Sequence, residues 1–394
     1  DIRLGGLTYT SDAVNPPSVN YGLLIRGKVS GSGVHPGIVG HALVVGGTGH
    51  ATTIDNGIGV TGTVSASGYG ADSYGLSLLA GASTPRLDVN GSLTAATTAY
   101  VTSTTSGSTT TYSSQSGKAT ALFIDSGASL PVLTIGANHA ISAAATGSAS
   151  SATAIIDKSG TLTSITNNGG IGATITATDA NADGVADTIT GTPTALDLSA
   201  NTSGVSISQV DTAPDDDTIA APYIAGQILF GSGNDSLTSD GGSIVGNVVW
   251  GDGTGTFSLT DKAVYLGQMT SNGDIAVNID SGSSAGLLSG TSLKFSTLHV
   301  GSDATLSIGL ATATPTAAPL IGSGAATFDD GATLNLSSDK IIPTPVTYPI
   351  MTASSISLGE LSTASLEGHI PYLYHADLVL NYAKPEFDAV FRLK

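Results

Sequence analysis

Apolar and polar residues alternate along many short stretches of the chain, and turns rich in glycine, serine and asparagine separate these stretches. One polar residue separates Leu87 from Val89, and another separates Leu133 from Ile135. A period of two residues is typical of a β-strand that presents one face to a core and the other to solvent. Segments of this kind begin at residues 21, 51, 74, 119 and 152. We therefore predict a degenerate repeat of short strands.

The repeat becomes tighter beyond about residue 226, where strand centres lie roughly 8 to 12 residues apart. Two-residue hairpin turns are missing at most junctions, which favours stacked coils over a β-sandwich. One coil cannot bury its own apolar face, whereas a stack of coils builds a continuous core from small and β-branched side chains. An aromatic content of 5% agrees with such a core. The pattern predicts an all-β fold, a parallel β-helix (β-solenoid) with long inter-rung loops.

Charge narrows the range of partners. Only 11% of the residues are charged, against about 25% in an average globular protein, and Ser, Thr, Asn and Gly must cover the surface instead. The 30 acidic and 12 basic residues give a net charge of −18. This charge repels nucleic-acid phosphates and anionic lipids, so we expect neither as a partner. The absence of cysteine excludes disulfide bonds and thiolate metal sites.

The segment "DANADGVAD" is the most specific candidate for a binding motif in the sequence. Its spacing is D-x-N-x-D-G-x-x-D, and a glycine stands where a loop around a cation must turn sharply. The predicted ligands of a structural Ca²⁺ ion are the side chains of Asp179, Asn181, Asp183 and Asp187 and the backbone carbonyl of Val185. Thr190 stands where an EF-hand has its bidentate glutamate, which indicates a loop between strands instead. The alternative is a solvated acidic turn.

A second glycine-rich stretch, "FGSGNDSLTSDGG" at residues 230–242, is similar to one copy of a calcium-binding β-roll repeat. A β-roll shares each ion between tandem copies, and no second copy follows here. We therefore expect Asp235 and Asp240 to form turn hydrogen bonds to backbone N–H groups. The run Asp215–Asp217 is interpreted as a solvated loop tip.

The catalytic patterns in the sequence are weak. "GSSAG" around Ser284 matches G-x-S-x-G, but no helix is predicted after it, as a nucleophile elbow requires. His35 and His41 have no third ligand at a recognisable spacing. Aromatic residues that could line a carbohydrate groove are Tyr100, Tyr112, Tyr223, Trp250 and Tyr265. Paired carboxylates for glycoside chemistry are missing, so we predict a non-enzymatic protein with no catalytic residues.

Several longer segments carry a family resemblance. "ILFGSGNDSLTSDGGSIVGNVVWGDGTGTFSL", "LHVGSDATLSIGL", "AATFDDGATLNL" and the closing segment from "YPIMTASSISL" to "FRLK" resemble the C-terminal part of a bacterial autotransporter (type V secretion) passenger domain. "ATALFIDSG" and "ATAIIDKSG" resemble the upstream rungs of long passengers. The resemblance implies a right-handed parallel β-helix that ends in a folding cap. It also implies export through a C-terminal outer-membrane β-barrel that this chain does not contain.

This resemblance implies a domain organisation and a location. Residues 1–225 are expected to form irregular rungs with long loops, residues 226–340 regular rungs, and residues 341–394 the C-terminal cap before the barrel. The chain starts at Asp1 without a leader, which favours a trimmed passenger or a fragment of one. We expect it at the outer-membrane surface of a Gram-negative bacterium or released from it. Contact with the membrane would occur only through the barrel.

The expected function is adhesion or self-association. The partners would then be other copies of the chain, or a ligand on the surface of a host or neighbouring cell. A Thr/Ser-rich insert within residues 96–117 is the most prominent predicted loop and would carry such contacts. The first alternative is a calcium-dependent protein that forms a surface layer or fibre, and the second is a β-helix enzyme that acts on polysaccharides. The sequence leaves the ligand and the oligomeric state open.

Overall fold

A computed structural model describes residues 2–4, 7–9, 19–47, 49–310, 317–338, 346–359, 374–381 and 385–393. Strands and turns make up this part of the chain, and it contains no helix. It accordingly offers no helix that is long and apolar enough to cross a membrane. The chain divides into two compact units, Asp1–Val205 with Asp215–Ile228, and Ser206–Pro214 with Leu229–Lys394. Strand Gln227–Leu229 spans a boundary between them in sequence.

The first unit consists mainly of three parallel sheets. Sheet 1 contains, in stacking order, Gly40–Val45, Ser73–Leu78, Lys118–Ile124, Ser151–Asp157 and Thr194–Asp197. Sheet 2 contains Leu23–Ile25, Ile58–Val60, Arg86–Val89, Val132–Ile135 and Ser164–Asn167. Sheet 3 contains Lys28–Ser32, Thr63–Tyr69, Ser92–Thr98, Ala140–Thr146, Gly170–Thr176 and Tyr223–Ala225. Each coil of chain thus contributes one strand to each sheet.

Smaller sheets complete the first unit. The parallel strands Ile2–Leu4, Thr52–Ile54 and Ala82–Ser83 form a short sheet at a corner of the coils. Leu7–Tyr9 and Val19–Tyr21 form an antiparallel pair. Tyr100–Ser106 and Thr109–Gln115 form a second antiparallel pair, which we call the ribbon.

The second unit repeats the same arrangement. Its sheet 1 contains Val248–Trp250 and Met269–Ser271. Sheet 2 contains Ser206–Val210, Asp235–Asp240, Gly255–Thr260, Ile275–Ile279, Leu293–Val300, Leu320–Gly322 and Val346–Thr352, with Ala325–Phe328 and Ser355–Leu358 as a side branch. Sheet 3 contains Ser243–Val245, Val264–Gly267, Ser284–Leu287, Thr305–Leu310 and Thr333–Ser338. The prediction of an all-β solenoid built from parallel strands is confirmed, while its handedness stays a prediction.

The core is built from columns of apolar side chains in register between coils. In sheet 3 of the first unit, Val64, Leu93, Ile141 and Ile171 occupy equivalent positions, and all are fully buried. Within each strand, the residues on either side of these positions face outward, as the sequence pattern predicts. Identical registers place similar side chains on top of one another, so each coil buries the apolar face of the next.

Glycine pairs allow the coils to approach closely at one corner of the second unit, and the stretch 230–242 begins there. A Cβ atom on Gly251 would lie 1.6 Å from the carbonyl oxygen of Gly231, so only glycine fits. The Asp235 residue that follows is buried at the start of a strand. Asp240 accepts a hydrogen bond of 2.9 Å from the Thr260 hydroxyl, 20 residues further on. This side-chain bond replaces the turn hydrogen bond to a backbone N–H that the sequence led us to expect.

The parallel stacking of the second unit gives way to antiparallel strands near its C-terminal end. Val346–Thr352 pairs antiparallel with Glu386–Leu393, which in turn pairs antiparallel with Tyr374–Asn381. Met351 and Phe387 are buried where the first of these pairs packs on the core. An antiparallel pair ends the repeated stacking register, because the next strand no longer runs in the direction that another coil would need.

Candidate functional site

The ribbon is the most exposed regular element among the described residues. Its register runs from the pair Tyr100 and Gln115 to the pair Ser106 and Thr109. Every residue of both strands is exposed except Tyr100, which is half-buried. The insert that the sequence predicted as a loop is therefore a regular hairpin. Thr is common in strands, but two runs composed mainly of Thr and Ser show no alternation of apolar and polar residues that would predict a strand.

A two-residue turn closes the tip of the ribbon. Gly107 has a φ of +64°, whereas Ser108 has no positive φ. This combination is the type II′ turn, whose twist matches that of an antiparallel pair. The sequence signal that could have revealed the hairpin is the pair Gly107-Ser108 between two Thr/Ser runs of equal length.

The base of the ribbon is fixed to the solenoid. The rings of Tyr69 and Tyr100 pack edge to face with centroids 5.1 Å apart. The Lys118 N–H donates a hydrogen bond of 2.8 Å to the Asp72 carboxylate just beyond the second strand. The Tyr74 hydroxyl also donates to Asp72, and burial together with this carboxylate raises the pKa of Tyr74. Both strands therefore leave from an ordered platform.

The predicted calcium loop is closed by its own hydrogen bonds. The Asp179 carboxylate accepts one from the Gly184 N–H (2.8 Å) and one from the Asp183 N–H (3.1 Å). The Asp187 carboxylate accepts one from the Ala180 N–H at 2.9 Å. Gly184 has a φ of +86°, which agrees with the sharp turn predicted at this position.

The other three predicted ligand residues also belong to this turn. The Asn181 side-chain amide donates to the Asp183 carboxylate at 2.8 Å, and the Val185 N–H donates to the same carboxylate at 2.8 Å. The Val185 side chain is exposed. Within the described part of the chain, no three His, Asp or Glu side chains are grouped so that they could hold a metal ion. The calcium hypothesis stays a prediction from the sequence spacing.

Amide hydrogen exchange can test this loop. The calcium hypothesis predicts that millimolar Ca²⁺ slows exchange between residues 180 and 187, because extracellular calcium loops bind with dissociation constants of about 10⁻⁴ to 10⁻³ M. Asp183→Ala should remove the effect, whereas Asp216→Ala in another acidic loop should preserve it. Identical exchange in Ca²⁺ and in excess EGTA would instead identify the loop as a plain acidic turn.

The other acidic loop is a local turn. The Asp216 carboxylate accepts hydrogen bonds from the Thr218 hydroxyl (2.6 Å) and the Thr218 N–H (3.0 Å). These bonds, first that from the hydroxyl, lower the pKa of Asp216. The residue is exposed, as expected for the solvated tip of the run Asp215–Asp217.

The weak catalytic patterns do not come together. Ser284 lies at the start of a strand within sheet 3, with no helix after it. His41 lies on a strand, with its ring stacked on Tyr74 at 5.1 Å, while His35 lies in an exposed turn. The G-x-S-x-G match thus lacks the strand-to-helix turn on which a nucleophile elbow depends.

The aromatic residues considered for a carbohydrate groove do not share one surface. Trp250 and Tyr265 are buried in the core of the second unit. The Tyr265 hydroxyl donates to the Gln268 carbonyl at 2.9 Å, and burial raises its pKa. Tyr112 and Tyr223 are exposed on separate elements. The sequence shows that these residues are aromatic, but it does not show which of them face the core and which face solvent.

An open cleft of about 530 Å³ lies at the corner of the first unit. Polar side chains, two prolines and one isoleucine line it, and none of the residues is aromatic: Thr53, Ile54, Asp55, Asn56, Ser83, Thr84, Pro85, Ser129 and Pro131. Sugar-binding grooves use aromatic rings as stacking platforms, in addition to polar groups. The cleft offers hydrogen bonds without such a platform.

The sequence did not reveal a polar chain that crosses several coils of the second unit. His299 Nδ1 lies 2.8 Å from the Asn278 side-chain oxygen, and its Nε2 lies 3.1 Å from the Asp329 carboxylate. The Asn278 amide lies 3.3 Å from the Ser258 hydroxyl. The amide thus stands between the serine and the histidine, so the histidine does not contact the hydroxyl as a base must. The chain of bonds stabilises the outer face of sheet 2.

No protein-family model matches the chain, and no curated protein matches it. Assignment of a function therefore depends on the geometry of the molecule.

Proposed function

We propose that the chain is an autotransporter-type passenger that acts outside the cell, without catalysis, by adhesion or self-association through its ribbon. The observation that carries this proposal is the ribbon itself, a pair of strands that is exposed beyond Tyr100 and held on an ordered base. Between residues 100 and 115 it contains no charged residue, although the whole chain has a net charge of −18. It presents backbone edges, hydroxyl groups and two tyrosines.

The solenoid is suited to display such an element. In-register columns of buried side chains make the scaffold rigid, and each added coil extends it without altering the existing coils. A projecting hairpin costs the scaffold little, because its first and last residues lie opposite each other at the base. Recognition elements are commonly placed on loops that a rigid scaffold positions. The ribbon fits this description better than the acidic loops, where the carboxylates of Asp179, Asp187 and Asp216 accept hydrogen bonds within local turns.

Deletion of residues 101–114, with Tyr100 and Gln115 joined by Gly-Gly, tests the proposal. We expect an unchanged thermal midpoint, since these residues are exposed. Beads coated with the variant should adhere at least several-fold less to one another or to a layer of foreign cells. A deletion within the Asp215–Asp217 loop serves as the control and should leave attachment unchanged. Equal attachment of beads coated with the ribbon deletion and with the wild-type chain would exclude the ribbon as the adhesive element.

A further inference from the structure

The edges of the ribbon lack the usual protection against further strand pairing. Within the described residues neither strand pairs with a third strand. Exposed edge strands in soluble proteins usually carry lysine, proline or a β-bulge that blocks such pairing. Here both strands are seven residues long, their register is regular, and neither contains a charged residue or proline. The ribbon is therefore a template for another β-strand.

The ribbon also gains stability when strands are added to it. An isolated pair of strands is marginally stable in water, and three or more strands are normally needed. The base contacts of Tyr100 support only one end of the pair. Pairing with another ribbon would satisfy one row of backbone groups on each and make a four-stranded sheet.

The distribution of charge makes the ribbon the position at which a second copy of the chain can approach. Two chains of net charge −18 repel each other wherever their bodies approach. The uncharged ribbon is about 20 Å long at roughly 3.3 Å per residue, and the screening length at physiological salt is about 8 Å. Two ribbons can therefore meet edge to edge while the charged bodies remain screened from each other.

We propose that the ribbons of two copies pair edge to edge in antiparallel orientation, which forms a four-stranded sheet across a two-fold axis. This inference rests on the proposed function and specifies how self-association occurs. Strand Tyr100–Ser106 then pairs with itself, so that Thr102 lies opposite Thr104 of the second copy, or strand Thr109–Gln115 does so, with Thr111 opposite Ser113.

Matched charge variants test this pairing. In Thr102→Lys/Thr104→Lys two like-charged pairs face each other, and the dimer dissociation constant should rise about two- to thirty-fold, at roughly 0.2–1 kcal/mol per pair. In Thr102→Lys/Thr104→Glu each pair is of opposite charge, so association should equal or exceed that of the wild-type chain. The corresponding variants at Thr111 and Ser113 examine the other edge. Sedimentation velocity at low and high salt measures all four, and the differences should shrink at high salt.

A cysteine variant gives an independent measurement, because the chain has no native cysteine. Ser103 is the central residue of its strand and would face its own copy, so Ser103→Cys should form covalent dimers upon mild oxidation. Thr256→Cys, on an exposed position of the second unit, serves as the control and should form few.

The outcomes separate the two proposals. Self-association that is insensitive to the charge variants on both edges would overturn ribbon pairing and leave self-association by another surface in place. A chain that stays monomeric at high concentration, yet adheres to foreign cells through residues 101–114, would also overturn ribbon pairing and support adhesion. A monomeric chain whose attachment does not need the ribbon would overturn both proposals.

Discussion

Replacement of Asp157 by alanine is expected to destabilise the first unit by about 3–5 kcal/mol, because it leaves the buried Leu162 N–H and two half-buried N–H groups without an acceptor. One carboxylate oxygen accepts hydrogen bonds from the Ser159 N–H, the Ser159 hydroxyl and the Gly160 N–H. The other accepts a bond of 3.0 Å from the Leu162 N–H. The residue is 1% exposed, so water cannot readily replace the lost acceptor.

The position of Asp157 in the stack explains why its burial is unusual. Val45, Leu78 and Ile124 precede it in the same column of sheet 1, and each is buried. A carboxylate thus occupies an inward position that other coils fill with an aliphatic side chain. Burial of a charge is tolerated only when hydrogen bonds compensate for the lost hydration. Here the following turn provides four such bonds.

A matched control exists one coil further on. Asp197 accepts hydrogen bonds from the Ser199 N–H and hydroxyl in a similar turn, but it is partly exposed. Asp197→Ala should therefore cost less than about 1 kcal/mol. Thermal unfolding, together with amide exchange at Gly160 and Leu162, measures both variants. Equal losses would show that burial of the Asp157 turn contributes nothing beyond an ordinary surface turn.

The sequence predicted the solenoid because its core positions alternate within strands, as Leu87 and Val89 do. It could not predict the burial of Asp157, because "IIDKSG" reads as a solvated turn until the neighbouring coil covers it. The same holds for Asn201, whose amide donates to the carbonyls of Gly160 and Leu162 in the previous coil. Contacts between residues about 40 positions apart depend on the number of residues in each coil, and the sequence repeat is too irregular to give that number.

The candidate site was predicted in part. Composition placed a projecting insert at residues 96–117, but not its strands, since Thr and Ser give only a weak strand signal without an apolar face. Spacing placed oxygen donors between Asp179 and Asp187, and the structure shows how these oxygens hold a turn. Trp250 and Tyr265 were considered for a surface groove, yet they fill the core. The narrow core has room for the Trp250 ring because Gly255, which the ring contacts, has no side chain.

Replacement of Phe257 by alanine is expected to destabilise the second unit by about 3–5 kcal/mol, the usual loss for a buried phenylalanine. The side chain is 1% exposed, and its ring packs edge to face against Tyr265 with centroids 5.3 Å apart. It also lies between Leu237 and Val277 in one column of sheet 2. Truncation therefore removes contacts to the coils on both sides.

The cavity left by this truncation would be dry and hard to close. Phe257 already borders a void of about 10 Å³ in the core of the second unit, and every residue that lines it is apolar. Water needs polar partners to occupy such a space. The strands around it are held by continuous ladders of backbone hydrogen bonds, which restrict any collapse of the coils. The energetic loss should therefore lie near the upper end of the expected range.

Phe257→Leu provides the comparison, since it keeps much of the side-chain volume and should cost about 1–2 kcal/mol. Thermal unfolding gives the two losses, and amide exchange should increase first in strands Asp235–Asp240, Gly255–Thr260 and Ile275–Ile279. A small apolar guest such as benzene should raise the thermal midpoint of the alanine variant and leave the leucine variant almost unchanged, because apolar cavities of this kind bind such molecules. A loss below about 1 kcal/mol for the alanine variant, without rescue by the guest, would show that the coils collapse around the missing ring.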